Sequence, residues 1–428
     1  MRNPNFAAIP TSYALFQSAK VAAFAATYSS GTTHKTTGVA MNDWRKTLLA
    51  AAFASAALAA CGGGGGGGGG TPTGTVNVQM TDAPSCGFDH VYVTVSQVRI
   101  NASSSAGDND SGWTNITLAT PQKIDLLSLT NGTMATLGQA SLPAGQYQQV
   151  RLVLTQNQGN TVANSVVVSG TTNEQPLTTP SATQSGLKII RPFDVAANAT
   201  VDLVLDFNAC KSVVQQGNGS YTLKPVITAT PTNVAGIIDG YVAPAEAGAT
   251  VYAEQSGKVI SGTVADSTGH FVFSTLVQSS TNGNYDIVIA QPDETTGIIT
   301  SVPVVVGATT HVSTSSAPVT LPAATMNTVS GTVTASADAS LRALQKTSSG
   351  TYEIASANAN LDTGAYTTSL PVAAPMVATY TGTLPVAFAA AASSAGQYTI
   401  EADAASGATQ STAVSITSGS QSGINFTF

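Results

Sequence analysis

The sequence predicts an all-β protein: an antiparallel β-sandwich domain followed by two smaller β-sandwich modules. Three observations carry this. Charged residues make up only 9% of the 428, too few to coat the outer faces of amphipathic helices, while Thr and Val are plentiful and suit half-buried strands. Runs that alternate apolar and polar side chains recur, with Asn-Gly and Asp- or Gly-rich turn signals between them. Beyond Pro231 the motifs appear twice in the same order.

The first sixty residues are of another kind. Arg45 and Lys46 precede the apolar run Thr47–Ala60, the layout of a secretory signal. That run is shorter than the about 20 residues a spanning helix needs. Its end, Leu58-Ala59-Ala60-Cys61, resembles the lipobox of bacterial lipoproteins. The resemblance implies cleavage before Cys61, acylation of its sulfur and of the new amine, and attachment to the membrane through those acyl chains. Each buried methylene adds about 0.8 kcal/mol, and two or more chains anchor stably. An ordinary signal peptide with an incidental cysteine is the alternative. Met41 opens this unit, and residues 1–40 hold no comparable apolar run; an upstream start codon or a long n-region explains them. Residues 61–73 form the tether, whose nine glycines, Gly62–Gly70, span roughly 17 Å as a flexible coil. In lipoproteins of Gram-negative bacteria an Asp after the cysteine signals inner-membrane retention. Gly62 stands there instead, which favours the outer membrane, facing periplasm or surface.

Residues 74–232 carry the first domain. Strands are expected at Thr75–Met80, Val91–Ile100, Val150–Thr155, Thr200–Phe207 and Tyr221–Ile227, with one helical turn at Ile124–Leu129 and turns at Asp108–Gly112 and Asn131-Gly132. The segments "VQMTDAPSCGFDHVYVTVSQVRI", "WTNITLATPQKIDLLSLTNG", "LPAGQYQQVRLVL" and "LVLDFNACKSVVQQGNGSYTLKPVI" resemble a bacterial lipoprotein family catalogued as domain of unknown function 4382. The family implies an exported β-rich domain and no known activity.

Residues 233–322 and 323–428 form the repeat. "IIDGYVAPAEAGATVYAEQ" is echoed by "TVSGTVTASADASLRALQK", "DSTGHFVFSTL" by "DTGAYTTSL", and "GNYDIVIA" by "GQYTIEAD". The second copy holds an insertion, placed at the Ala-rich Pro371–Ala395. Strand, Asp-x-Gly or Asp-x-x-Gly turn, strand, then Gly-x-Tyr resembles the prealbumin-like modules known as carboxypeptidase regulatory-like or starch-binding-like domains.

Few constellations carry chemistry. With Cys61 lipidated, Cys86 and Cys210 remain in an oxidising compartment and are expected to pair. Two buried free thiols are the alternative. His34, His90, His270 and His311 are scattered without His-x-x-x-His or Cys-x-x-Cys spacing, so no metal site is expected. Gly-x-Ser-x-Gly is missing. Asp108–Gly112, "DNDSG", opens like a calcium loop, but its twelfth position is Ala119; a solvated turn is expected. Asp82 and Asp89 either clamp a cation beside Cys86 or satisfy loop amides, the favoured reading. Tyr147, Tyr285 and Tyr398 each follow Gly-x. They are expected to be corner tyrosines bonded to backbone rather than sugar platforms; with Trp113 they are the aromatics on which glycan binding would depend. Ten basic and twenty-one acidic side chains follow Cys61, a balance that repels phosphate backbones and excludes nucleic acid. The expectation is a non-catalytic, lipid-anchored envelope protein without cofactor, acting as a binding or scaffolding module for an envelope protein or glycan. A carbohydrate-binding accessory lipoprotein is the alternative, and an enzyme comes third.

Overall fold

The computed structural model describes residues 71–82, 87–159, 161–279, 283–334 and 338–428. The signal segment, Cys61, the tether glycines and Cys86 lie outside the described residues. The described residues make one compact unit.

The chain opens with β1 (Thr73–Asp82), β2 (Phe88–Asn101), β3 (Thr114–Asp125), β4 (Ala135–Pro143), β5 (Gly145–Leu154) and β6 (Ser165–Val168). There follow β7 (Glu174–Thr178), β8 (Leu187–Val195), β9 (Thr200–Phe207), the one-turn helix α1 (Ala209–Ser212), β10 (Val213–Gln215), β11 (Tyr221–Leu223) and β12 (Ile227–Pro231). They form a sheet β12-β9-β1-β4 and a larger sheet β10-β11-β7-β6-β2-β5-β8, with β3 paired to β2. Alternation decides the first core: Val76, Val78 and Met80 of β1 are buried with Val91, Val93 and Val95 of β2 and with Leu203 and Leu205 of β9. The helical turn expected at Ile124–Leu129 is a 3-10 turn at Leu126–Ser128.

Two features depart from the purely antiparallel, five-strand reading. β1 runs parallel to β9, so that Asp82 lies beside Phe207, and β7 runs parallel to β11. The run Tyr221–Ile227 is two strands in different sheets. Pro225 has no N–H to give a ladder, and Lys224 N–H donates to Ser212 O at 2.7 Å, so the chain crosses between sheets there.

The repeat supplies β13 (Ala235–Tyr241), β14 (Thr250–Gln255), β15 (Lys258–Val264), β16 (His270–Val277), β17 (Tyr285–Ala290), β18 (Gly297–Val302) and β19 (Thr309–His311). Its second copy supplies β20 (Met326–Thr332), β21 (Ala339–Lys346), β22 (Thr351–Asn358), β23 (Ala365–Pro371), β24 (Met376–Thr379), β25 (Ala389–Ala390), β26 (Gln397–Ala404) and β27 (Thr409–Ser415). The strand order β15-β14-β17-β18 recurs as β22-β21-β26-β27, and the pair β16-β13 recurs as β23-β20. Parallel bridges from Val329 to Gln421 and from Val333 to Phe426 take the place of β19. The turn glycines match as well: Gly269 has φ +83° and Gly364 φ +69°, and a Cβ on either would lie about 2 Å from the carbonyl of Val242 or Val333. The Ala-rich insertion behaves differently from the rest of its copy. Its strands β24 and β25 extend the first copy's sheet, β24 lying parallel to β18.

Candidate functional site

The sheet β15-β14-β17-β18 is covered on both sides. Ile287 and Ile289 of β17 enter the second core, while Val288 and Ile298 enter the third. This brings polar residues of three cores to one junction.

Glu353 on β22 is its centre. The side chain is 2% exposed and accepts from Lys211 Nζ of α1 at 3.0 Å and from Arg342 Nη1 of β21 at 3.1 Å. Arg342 also donates to Gly257 O at the tip of the β14–β15 hairpin, 3.1 Å away, and pairs with Glu401 and, at 3.3 Å, with Asp403. Glu254 on β14 is fully buried, and its Oε2 accepts Glu353 N–H at 3.1 Å. Burial first, then the neighbouring charges of Glu353 and Asp286, push the Glu254 carboxyl up to about 8. Burial also raises the Tyr252 phenol on the same face.

Further polar contacts close the seams. Ser261 Oγ donates to Asp206 at 2.9 Å, and burial pushes that carboxyl up to about 6. Asn131, at φ 56° in the Asn-Gly turn, donates its N–H to Thr263 Oγ1 at 2.8 Å. Lys224 pairs with Asp338. Asn358 Nδ2 donates to the carbonyls of Cys210 and Val213, at 3.0 and 3.2 Å.

Two clefts open at these seams. One of about 580 Å³ is lined by Lys211, Lys224, Asp338, Asn358 and Asp403. The other, of about 690 Å³, is lined by hydroxyls and amides, including Ser256, Asn284, Ser301, Ser349 and Thr351, with Asp286 as its carboxylate. Asp286 accepts Ser301 N–H at 3.0 Å and Asn284 donates to Ser301 O at 3.0 Å, so both side chains are held in place.

The residues singled out from sequence fall as follows. The hydroxyls of Tyr147, Tyr285 and Tyr398 donate to the carbonyls of Pro143, Val277 and Pro371 at 2.9, 3.0 and 2.7 Å, and all three rings are buried. They are corner tyrosines. Trp113 donates to Gly107 O, and the guanidiniums of Arg99 and Arg151 lie over its ring at 4.4 and 4.9 Å. In the "DNDSG" turn Asp108 pairs with Arg151 and Asp110 accepts Gly107 N–H. Asp82 accepts Ala209 N–H at 2.9 Å and Asp89 accepts Gly170 N–H at 3.2 Å; the two serve separate amides. Cys210 lies on α1.

Sequence reasoning missed two groupings. His311 and His270 both face Asp239, at 2.5 and 3.7 Å, although they lie far apart in the chain. Among the described residues no three His, Cys, Asp or Glu side chains form a metal-holding group. The Glu254–Glu353–Arg342 junction was also missed. The sequence carries no distinct signal for it, since charged residues stand inside many strands, Arg99 of β2, Lys188 of β8 and Asp202 of β9 among them.

The fold and its seams define a multidomain β-sandwich protein. Residues 73–225 match the family described as Domain of unknown function (DUF4382), so the chain carries that domain. No curated protein matches the chain. A type II cohesin–X-dockerin complex from Acetivibrio cellulolyticus aligns at 27% identity over 21% of this chain and 58% of that one, a little over half its length, with a TM-score of 0.18. A streptococcal ancillary pilin aligns at 8% identity over 83% of this chain and 98% of that one, with a TM-score of 0.15. The minor pilin of Streptococcus agalactiae aligns at 12% identity over 58% and 96%, with a TM-score of 0.14.

Proposed function

We propose that the chain is a non-catalytic lipoprotein of the bacterial outer membrane, held by acyl chains on Cys61, whose β-cores form one rigid binding or scaffolding body. The observation that carries this reading is the junction at Glu353, where side chains or backbone of all three cores meet in one buried ion network. A body held that way keeps its surfaces in fixed relation, which suits presentation at the end of a slack glycine tether. The signal run and lipobox support the anchor. Cell fractionation with labelled palmitate tests it: wild type is labelled and sediments with outer membrane, and Cys61→Ser is unlabelled and soluble. Label in Cys61→Ser refutes the anchor.

The hydroxyl-lined cleft favours a second reading, a carbohydrate-binding accessory protein. Its fixed carboxylate and amide match the donors and acceptors of a neutral sugar. A glycan array with discrete hits that vanish in Asp286→Asn supports this reading, and hits that persist in that variant exclude the cleft.

A further inference from the structure

The two copies of the repeat end their larger sheets differently. In the first copy β18 is not an edge: β24, from the insertion of the second copy, lies parallel to it. Met376 and Tyr380 N–H donate to the carbonyls of Thr296 and Thr300 at 2.8 and 2.9 Å. In the second copy β27 holds the place of β18, and the corner tyrosines fix the correspondence. Ile287, two residues after Tyr285, pairs with Ile299, and Ile400, two after Tyr398, pairs with Thr412. Thr296, Ile298 and Thr300 therefore match Thr409, Ser411 and Ala413. Among the described residues no strand lies on the far side of β27.

The ladder shows which backbone groups are free. Ile416 N–H donates to Gly396 O and Ala404 N–H to Ala408 O, each at 2.9 Å, so the even-numbered residues of β27 face β26. Residues of an antiparallel strand alternate in this respect, and the register runs unbroken from Thr409 to Ser415. The N–H and C=O groups of Thr409, Ser411, Ala413 and Ser415 thus point away from the sheet, and all four residues are exposed. Edge strands are ordinarily blunted by charge, proline, a bulge or shortness. β8 carries Lys188, Arg191, Pro192 and a register shift, β12 ends on Pro231, and β25 has two residues. β27 has seven residues with no charge, no proline and no bulge.

We propose that β27 pairs antiparallel with β27 of a second copy of this chain, joining two four-stranded sheets across a two-fold axis. The strand that fills this place in the first copy, β24, is already held by β18, so it is not free to serve β27. Two free edges satisfy each other and displace nothing. A two-fold pairing sets residues of one edge against the same edge, where any charge would face its own kind. The chain beyond Cys61 is strongly acidic, yet this edge is neutral. Because the contact is isologous it closes at two copies, and the matching edge of the first copy is filled. One strand pair buries less than the roughly 1,200 Å² of a standard stable interface, so the dimer is weak and follows concentration.

The test is sedimentation velocity of the purified full chain in detergent over about a hundredfold range of concentration, with amide hydrogen exchange on the same samples. Wild type should pass from monomer to dimer as concentration rises. Exchange at Ser411 and Ala413 should slow in step, while Thr412, whose N–H already faces β26, should not change. Ala413→Pro removes one outward N–H and leaves the inward ladder intact. Ala413→Lys places a charge on the exposed edge, sets it against its own image and leaves the fold untouched. Each should weaken association about tenfold or more, and Ala413→Lys should keep the urea midpoint of the wild-type monomer. A chain that stays monomeric throughout overturns the pairing. So does a dimer that both variants retain, or exchange at Ser411 and Ala413 that ignores concentration.

Discussion

Glu254 should make this protein less stable as pH rises through neutrality. Its carboxyl is fully buried, accepts one backbone N–H from Glu353 and has no partner at Oε1. Its pKa stands at about 8 in the folded chain, against 4.5 for the ordinary group. Between those two values the folded state binds the proton and the unfolded chain does not. Stability therefore falls as pH rises from about 4.5 to 8 and is level above that. At 1.36 kcal/mol for each tenfold difference in proton affinity, the loss is on the order of 3–5 kcal/mol. Glu254→Gln keeps an oxygen for the Glu353 N–H and cannot ionise. Asp206 and Glu246, both pushed up to about 6, titrate identically in the two proteins, so the difference between them isolates Glu254. Urea unfolding of the full chain at pH 5, 6.5 and 8.5 should give nearly equal stabilities at pH 5 and a variant more stable by a few kcal/mol at pH 8.5. Parallel curves across the range would show that the junction does not hold a buried proton at Glu254.

Two further outcomes follow from the seams and corners. Parallel pairing sets Asp82 beside Phe207, four residues before Cys86 and three before Cys210, so a bridge closing about 125 residues should contribute about 2–4 kcal/mol; reductant should lower the unfolding midpoint of wild type and leave Cys86→Ser/Cys210→Ser unmoved, and an unmoved wild type would mean free thiols. Tyr285→Phe and Tyr398→Phe each leave a buried carbonyl, of Val277 and Pro371, without its donor and should each cost about 0.5–1.5 kcal/mol in urea unfolding; Phe variants as stable as wild type would reduce the hydroxyls to bystanders.

Much of the architecture is local and therefore legible. Side chains alternate across a strand, so Val76, Val78 and Met80 declare their inward face without reference to the rest of the chain. Asp266 and Gly269 specify their turn because the Asp carboxylate bonds to the N–H groups of Thr268 and His270 and only glycine tolerates that backbone. The corner tyrosines were legible from the recurring Gly-x-Tyr at the start of a strand, although Tyr398 bonds to Pro371, 27 residues away. Pro225 was visible too, yet its consequence needed Ser212, whose carbonyl takes the next strand's path.

Glu254 marks the limit. Alternation within β14 puts Tyr252 and Glu254 on the face opposite Val251 and Ala253, and in a free-standing sandwich that face is wet. In this protein the third core packs against that sheet, and a carboxylate that sequence assigns to solvent becomes fully buried. The same holds for Asp239, which meets His270 and His311 only because β13 lies between β16 and β19. The sequence by itself determined the strands and turns, because each depends on neighbours within a few residues. Only the tertiary structure decided which charges are buried and who faces them, because desolvation and Coulomb energy depend on distance in space, and residues a hundred apart in the chain meet only when sheets close over one another.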